Sequence, residues 1–166
     1  MEQADILIVD DNPEIREIIQ ILLSGEGYQV HEAANGHQAL LLLKQTSFDL
    51  IILDIMMPGK SGLEVLSEWT ESIHHQIERL NSLVTQLLFL SARTQESDKT
   101  LGFSSGGDDY LAKPFSYAEL VIRAKALLRR YQVYQGKPNV PAQTSKITYA
   151  QLTLNEQTQE VTQKNI

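Results

Sequence analysis

Cysteine is absent from the 166-residue chain, which excludes a disulfide frame, a thiolate zinc site and a cysteine nucleophile. No apolar run approaches the ~20 residues needed to span a bilayer. The opening residues Met1-Glu2-Gln3-Ala4-Asp5 are acidic and no apolar stretch follows them, which argues against a secretory signal peptide. Positive charge is scarce: 14 Lys and Arg against 21 Asp and Glu leave a formal charge of -7. So acidic a region is not expected to be a nucleic-acid surface itself. These absences predict a soluble, cytoplasmic chain with no membrane partner. What is present is an apolar share of 42%, enough for a real core, in a length that suits one domain plus a remainder.

The chain is organised around Phe48-Asp49-Leu50-Ile51-Ile52-Leu53-Asp54. A branched, apolar run that ends in a carboxylate reads as a strand buried on both faces of a parallel sheet. The following Ile55-Met56-Met57-Pro58-Gly59 reads as a loop, and in open α/β sheets ligands bind at the edge where strands end. Alone, Asp54 would be a turn or capping residue. An earlier strand, Ile6-Leu7-Ile8-Val9, ends the same way in Asp10-Asp11. Carboxylates gathered at one sheet edge repel one another unless a cation offsets them. Oxygen-only ligands of this kind suit Mg²⁺, which retains water and pairs with phosphate oxygens.

In chain order, Asn12-Pro13 predicts a helix start, and Ile15, Ile18, Ile19, Leu22 and Leu23 follow at amphipathic spacing up to Gly25. Tyr28 to Glu32 reads as a second strand and Asn35-Gly36 as a turn. Ala39, Leu40, Leu42 and Leu43 mark a second helix. This alternation predicts an α/β fold with a doubly wound parallel sheet and helices on both faces. Leu63 opens a third helix, Leu87 to Ala92 reads as a fourth strand, and a helix is predicted from about Thr94 to Ser104. Asp109 to Ala112 reads as a fifth strand, followed by Lys113-Pro114. Ser116 and Glu119 form a predicted capping box for a last helix ending in Arg129-Arg130, favourable charges at its negative end.

Asp10, Asp11, Asp54, Ser91 and Lys113 thus converge on one sheet edge, and each type has a task in accepting a phosphoryl group. Asp54 would be the in-line nucleophile. Asp10 and Asp11 would hold the Mg²⁺. Lys113 and Ser91 would reach phosphate oxygens, and the proline after Lys113 could take the cis form and re-aim that side chain. Singly they are a surface lysine, a capping serine and loop acids; their common position at strand ends is the specific signal. The motifs Ile8-Val9-Asp10-Asp11-Asn12, Leu53-Asp54-Ile55-Met56-Met57-Pro58-Gly59, Leu90-Ser91-Ala92 and Gly107-Asp108-Asp109-Tyr110-Leu111-Ala112-Lys113-Pro114-Phe115 carry a resemblance. Through them residues 4 to 130 resemble the receiver domain of bacterial two-component response regulators. The resemblance implies a flavodoxin-like five-stranded sheet of order 2-1-3-4-5 and phosphorylation of Asp54 by a sensor histidine kinase, not turnover as an enzyme. It also implies Mg²⁺ held by Asp11, Asp54 and the Met56 carbonyl, with Asp10 nearby. Tyr110 becomes the aromatic switch that turns inward when Ser91 moves onto the phosphate.

Residues 1–131 are therefore expected to form the receiver, 132–146 a linker, and 147–166 the start of another domain. Leu127 to Tyr131 and Ile147 to Asn155 look like the junction and first strands of the OmpR/PhoB winged-helix transcription factors, with a linker resembling vancomycin-resistance-type regulators. Ile147 to Leu154 and Glu160 to Ile166 alternate polar and apolar residues as antiparallel strands do. Strands this few bury no core, so this β remnant reads as truncated, and promoter DNA would be contacted only through the missing effector part. Lys99 with Glu119, and Asp109 with Arg123, fall where that class places ion pairs across the phosphorylated homodimer.

The chain departs from the family between Gly62 and Ser91, with a lengthened segment at about 70–86. Leu63, Leu66, Thr70, Ile73, Ile77, Leu80, Val84 and Leu87 keep helical spacing, and Gln76 to Ser91 resembles a dimerisation helix of sensor kinases. His74 and His75 lack a kinase phosphoacceptor motif and read as solvent-facing. A longer third helix and a recombined sequence both explain the segment. A helix to about Asn81 followed by a return segment keeps the fourth strand; an unbroken helix through Leu90 would remove it and Ser91 from the site. Two other functions fit parts of the pattern. A stand-alone receiver would signal by protein contact, and a Mg²⁺-dependent hydrolase would want an acid where Met56 stands.

Overall fold

The structure, a computed structural model, describes residues 3–74, 85–92, 108–135, 146–149, 152–155 and 160–163. It contains two compact units, Met1–Tyr134 and Gln135–Ile166.

In the first unit, β1 (Asp5–Val9), β2 (Gln29–Ala33), β3 (Leu50–Asp54), β4 (Gln86–Ser91) and β5 (Asp109–Ala112) form one sheet. All neighbours pair in parallel, in the order β2-β1-β3-β4-β5. Successive strand side chains point to opposite faces, so an uninterrupted apolar strand feeds two cores. Leu7, Val9, Ile51, Leu53, Leu87 and Phe89 pack on one face with Ala39, Val65 and Leu66 from α2 (Gly36–Gln45) and α3 (Gly62–His74). Ile6, Ile8, Leu50, Ile52, Leu88 and Leu90 pack on the other with Ile19 and Leu23 from α1 (Pro13–Gly25) and with Leu120, Ala124, Leu127 and Leu128 from α4 (Tyr117–Gln135). Each fully buried Leu or Ile contributes about 1.5–3 kcal/mol, so the central strands β1, β3 and β4 anchor the loops at their ends.

Local signals mostly act where the sequence places them. The Asn12 Oδ1 accepts the N–H groups of Glu14 and Ile15 (2.9 and 3.4 Å) and Pro13 fills the first turn of α1. Gly25 is the last helical residue; Gly27, at φ 93°, makes the left-handed turn instead. Asn35-Gly36 starts α2 rather than forming a separate turn: the Asn35 side chain accepts the Gln38 N–H at 2.9 Å. β2 lies one residue later than expected. Ser116 occupies the capping position of α4, its carbonyl accepting the Leu120 N–H at 3.0 Å, while the Glu119 carboxylate accepts from Arg123. α4 continues to Gln135, past Arg129-Arg130, so residues 132–135, expected as linker, are helical.

The lengthened segment preserves β4. The Thr85 hydroxyl donates to the Phe48 carbonyl (2.8 Å) and the Gln86 N–H to the Asp49 carbonyl (2.9 Å), which starts the strand in register with β3. One unbroken helix through Leu90 is thereby ruled out, and Leu87 lies on a strand. In α3, Val65 and Leu66 are buried, and Leu63 and Trp69 pack partly against the same core. The expected course to about Asn81, His75, the outer seam with Ile77 and Leu80, and the predicted helix at 94–104 lie outside the described residues.

The second unit holds β6 (Lys146–Tyr149), β7 (Leu152–Asn155) and β8 (Glu160–Gln163), an antiparallel sheet in that order. The first alternating segment is thus two paired strands rather than one.

Candidate phosphoacceptor site

β1 and β3 are adjacent and parallel, with Val9 opposite Leu53, so their carboxyl ends bring Asp10 and Asp54 together. Asp10, Asp11 and Asp54 each offer an oxygen, and these atoms lie within 4.8 Å of one another. Asp10 and Asp54 are buried and Asp11 is exposed. The Lys113 ammonium, delivered by the turn after β5, donates to Asp10 Oδ2 at 2.9 Å and to Asp54 Oδ2 at 3.1 Å. The Lys113–Pro114 peptide is cis. The second oxygens are also held: Asp10 Oδ1 accepts the Asn12 N–H (2.9 Å) and Asp54 Oδ1 the Met56 N–H (3.1 Å).

Among the described residues, three carboxylates therefore cluster where one ammonium pairs with two of them. Burial first, and then the charge of Asp10, push the Asp54 carboxyl up from 3.8 to about 6, against the pull of Lys113 and the Met56 N–H. Burial opposes the charge on Lys113, but its hydrogen bonds and attraction to Asp10 and Asp54 outweigh that and raise its pKa. The excess negative charge and the oxygen-only donors fit a hard divalent cation such as Mg²⁺. Met56, whose side chain is exposed, opens the loop that leaves Asp54.

Ser91 ends β4, one residue past the Leu90 that pairs with Asp54, and is buried; its carbonyl accepts the Lys113 N–H at 2.6 Å. Tyr110 pairs with Phe89 on β4 and is buried in the core shared with Leu87 and Phe89. Asp109, Glu119 and Arg123 meet within one chain: Arg123 donates to Asp109 at 2.9 and 3.0 Å and to Glu119 at 2.9 and 3.1 Å. Lys99 lies outside the described residues.

Four supporting residues, Arg16, Ser61, Gly62 and Glu64, are not among those the sequence points to. Arg16 donates to the Asp10 carbonyl at 2.7 Å and pairs with Glu32 at 3.3 Å, bracing the end of β1. Ser61 and Glu64 form a capping box at α3: the Ser61 N–H reaches Glu64 Oε2 at 2.7 Å and the Glu64 N–H reaches Ser61 Oγ at 3.2 Å. The S-x-x-E spacing is its sequence signal, directly after the Pro58-Gly59 turn. Gly62 follows Ser61 and touches the Asp54 peptide.

A carboxylate at the end of the middle strand of a β2-β1-β3-β4-β5 sheet, flanked by acids and a lysine on adjoining strand ends, defines a receiver-type α/β domain. Residues 6–125 match the response regulator receiver domain, and the chain belongs to that family. The transcriptional regulatory protein SrrA of Staphylococcus aureus is 40% identical over 138 residues, which are 81% of this chain and 53% of SrrA. The chain thus spans about half the length of the curated relatives it matches. The receiver domain of the Francisella response regulator 1452 aligns at 32% identity with a TM-score of 0.68, covering 77% of this chain and 98% of that one. The response regulator TrrA from Thermotoga maritima, solved in complex with Mg(2+)-BeF, aligns at 34% identity and 0.61, covering 75% and 99%.

Proposed function

We propose that the chain is the phosphoacceptor part of a two-component response regulator of the OmpR/PhoB class, with a sensor histidine kinase as donor. The observation that carries this is the Asp54 carboxylate, buried at the end of β3 and held by Lys113 and the Met56 N–H beside Asp10 and Asp11. An Asp54 oxygen attacks phosphorus in line as the bond to the donor nitrogen or oxygen breaks, leaving an acyl phosphate on the chain. Lys113 stays between the two buried carboxylates and compensates phosphoryl oxygens as they arrive. Mg²⁺ bound by Asp10, Asp11, Asp54 and the Met56 carbonyl would supply the remaining charge neutralisation. Met56 carries no proton-transfer group, which favours a phosphoacceptor over a hydrolase. Self-dephosphorylation is accordingly slow.

The phosphoryl group adds about -1.5 to -2 charges, and Ser91 and Tyr110 relay this as the switch. The likeness to SrrA and the antiparallel β6–β8 that follow α4 support a transcriptional output through promoter DNA and a cytoplasmic location. Among the described residues no helix is long and apolar enough to cross a membrane. With acetyl phosphate as donor, labelling should require Mg²⁺, vanish in Asp54→Asn and fall at least about tenfold in Asp11→Ala. Undiminished labelling of the Asn variant would refute the assignment.

Phosphorylation is further proposed to favour a symmetric dimer through the face of Lys99, Asp109, Glu119 and Arg123. Arg123 is more than a third exposed, so its bonds within the chain are worth under about 1 kcal/mol each and exchange readily for bonds to a second copy. Arg123→Glu should weaken phosphorylation-dependent association about tenfold, and adding Asp109→Arg should restore part of it. Sedimentation that is indifferent to both changes would exclude this face.

A further inference from the structure

Gly62, the first residue of α3, is buried, and its N–H donates to the Ile55 carbonyl at 3.0 Å. A Cβ built on it would lie 2.2 Å from the Asp54 carbonyl oxygen and 3.0 Å from both the Asp54 carbonyl carbon and the Ile55 Cα. Those neighbours are main chain, with no flexible side chain to swing aside. Neither partner is loosely held. Asp54 pairs with Leu90 across the sheet, and the Ile55 N–H donates to the Leu90 carbonyl at 2.9 Å. On the other side, the Ser61–Glu64 capping box fixes where α3 begins.

We infer that Gly62 is a positioning residue for the phosphoacceptor: its missing side chain lets α3 start against the Asp54–Ile55 peptide and so sets the direction of the Asp54 carboxylate. This rests on Asp54 being the phosphoacceptor. A methyl group at position 62 must rotate that peptide or lift the start of α3. Either motion also moves the Met56 N–H, which holds Asp54 Oδ1 at 3.1 Å, and turns the carboxylate from Lys113. Small misplacements of a reacting group cost large factors in rate.

Gly36 supplies the control. A Cβ there would first meet side chains of α3 and of the loop before it, Val65 Cγ2 at 2.7 Å and Lys60 Cβ at 3.0 Å, rather than main chain. Gly62→Ala and Gly36→Ala are compared with the parent by urea unfolding, by the phosphorylation rate at saturating acetyl phosphate and Mg²⁺, and by the amide resonance and hydrogen exchange of Met56 without Mg²⁺. Both variants should unfold at lower urea. Only Gly62→Ala should shift the Met56 resonance, speed its exchange and slow saturated phosphorylation by about ten- to a hundredfold. A folded Gly62→Ala with the parent's rate and Met56 resonance overturns the inference, as do equal losses in the two variants. If Gly62→Ala folds only with trimethylamine N-oxide, the same comparison is made there; failure to fold even then overturns it, since the residue would serve folding as such. A parent that takes no label defeats the phosphoacceptor reading, while the Met56 resonance still reports separately whether Gly62 sets the Asp54 geometry.

Discussion

Lys113→Met should lower the stability of the Mg²⁺-free protein by about 3 kcal/mol at neutral pH and slow phosphorylation of Asp54 by more than about tenfold. The ammonium is the cation paired with both buried carboxylates, at 2.9 Å from Asp10 and 3.1 Å from Asp54. Methionine keeps much of the length and apolar stem but leaves the buried Asp10 and Asp54 carboxylates facing each other without their ammonium. Removing one partner of such a cluster costs more than the cluster itself contributes, because the remaining charge stays buried. Added Mg²⁺ should return part of the stability, since a cation that binds only the folded state favours it by mass action. Urea midpoints with EDTA and with Mg²⁺ measure both effects. A variant as stable as the parent under EDTA would mean that the carboxylates do not need the lysine.

The opposite sign is expected for Asp54→Asn. In the folded chain the Asp54 carboxyl is raised from 3.8 to about 6 by burial and by Asp10. A raised acid is stabilising only while protonated: its contribution is complete below the unfolded value and is lost as pH rises through the folded one. The parent should therefore lose stability relative to the Asn variant between about pH 4 and pH 6, and the gap should then level off. Two pKa units correspond to about 3 kcal/mol, an upper bound; about 1–3 kcal/mol is expected at neutral pH without Mg²⁺. An Asn variant that is less stable than the parent at about pH 8, or a gap that does not change with pH, would contradict the electrostatic account. The same substitution that silences the site should thus strengthen the fold, as expected where function concentrates like charge.

The sheet was legible because β1 and β3 are apolar on both faces, a pattern half-buried strands do not produce. Asp10, Asp11, Asp54 and Lys113 were legible for a related reason, since each follows a recognisable strand and strand ends face one edge. Other features depend on the assembled backbone. Nothing in Ser61-Gly62 announces that Gly62 lies against the Asp54 carbonyl, because that approach exists only once α3 packs on β3. Gly25 and Gly27 sit two residues apart, and sequence alone does not decide which takes the left-handed turn. Arg129-Arg130 suited a helix terminus, yet Tyr131 to Gln135 contain no breaker, so α4 runs on to Gln135, just before Gly136. The resemblance pairs Asp109 with Arg123 and Lys99 with Glu119 across two copies, whereas within one chain Arg123 bonds both Asp109 and Glu119, and the Glu119–Arg123 spacing suits a bond within one helix.

On the proposed function, Asp54 itself carries the phosphoryl group. The direct measurement incubates the chain with acetyl phosphate and Mg²⁺, reduces the acyl phosphate with borohydride, and locates the reduced residue by peptide mass spectrometry. Conversion of Asp54 to homoserine, dependent on Mg²⁺ and absent in the Asn variant, is the predicted result. Reduction at Asp10 or Asp11 with Asp54 intact, or label that does not require Mg²⁺, would contradict it.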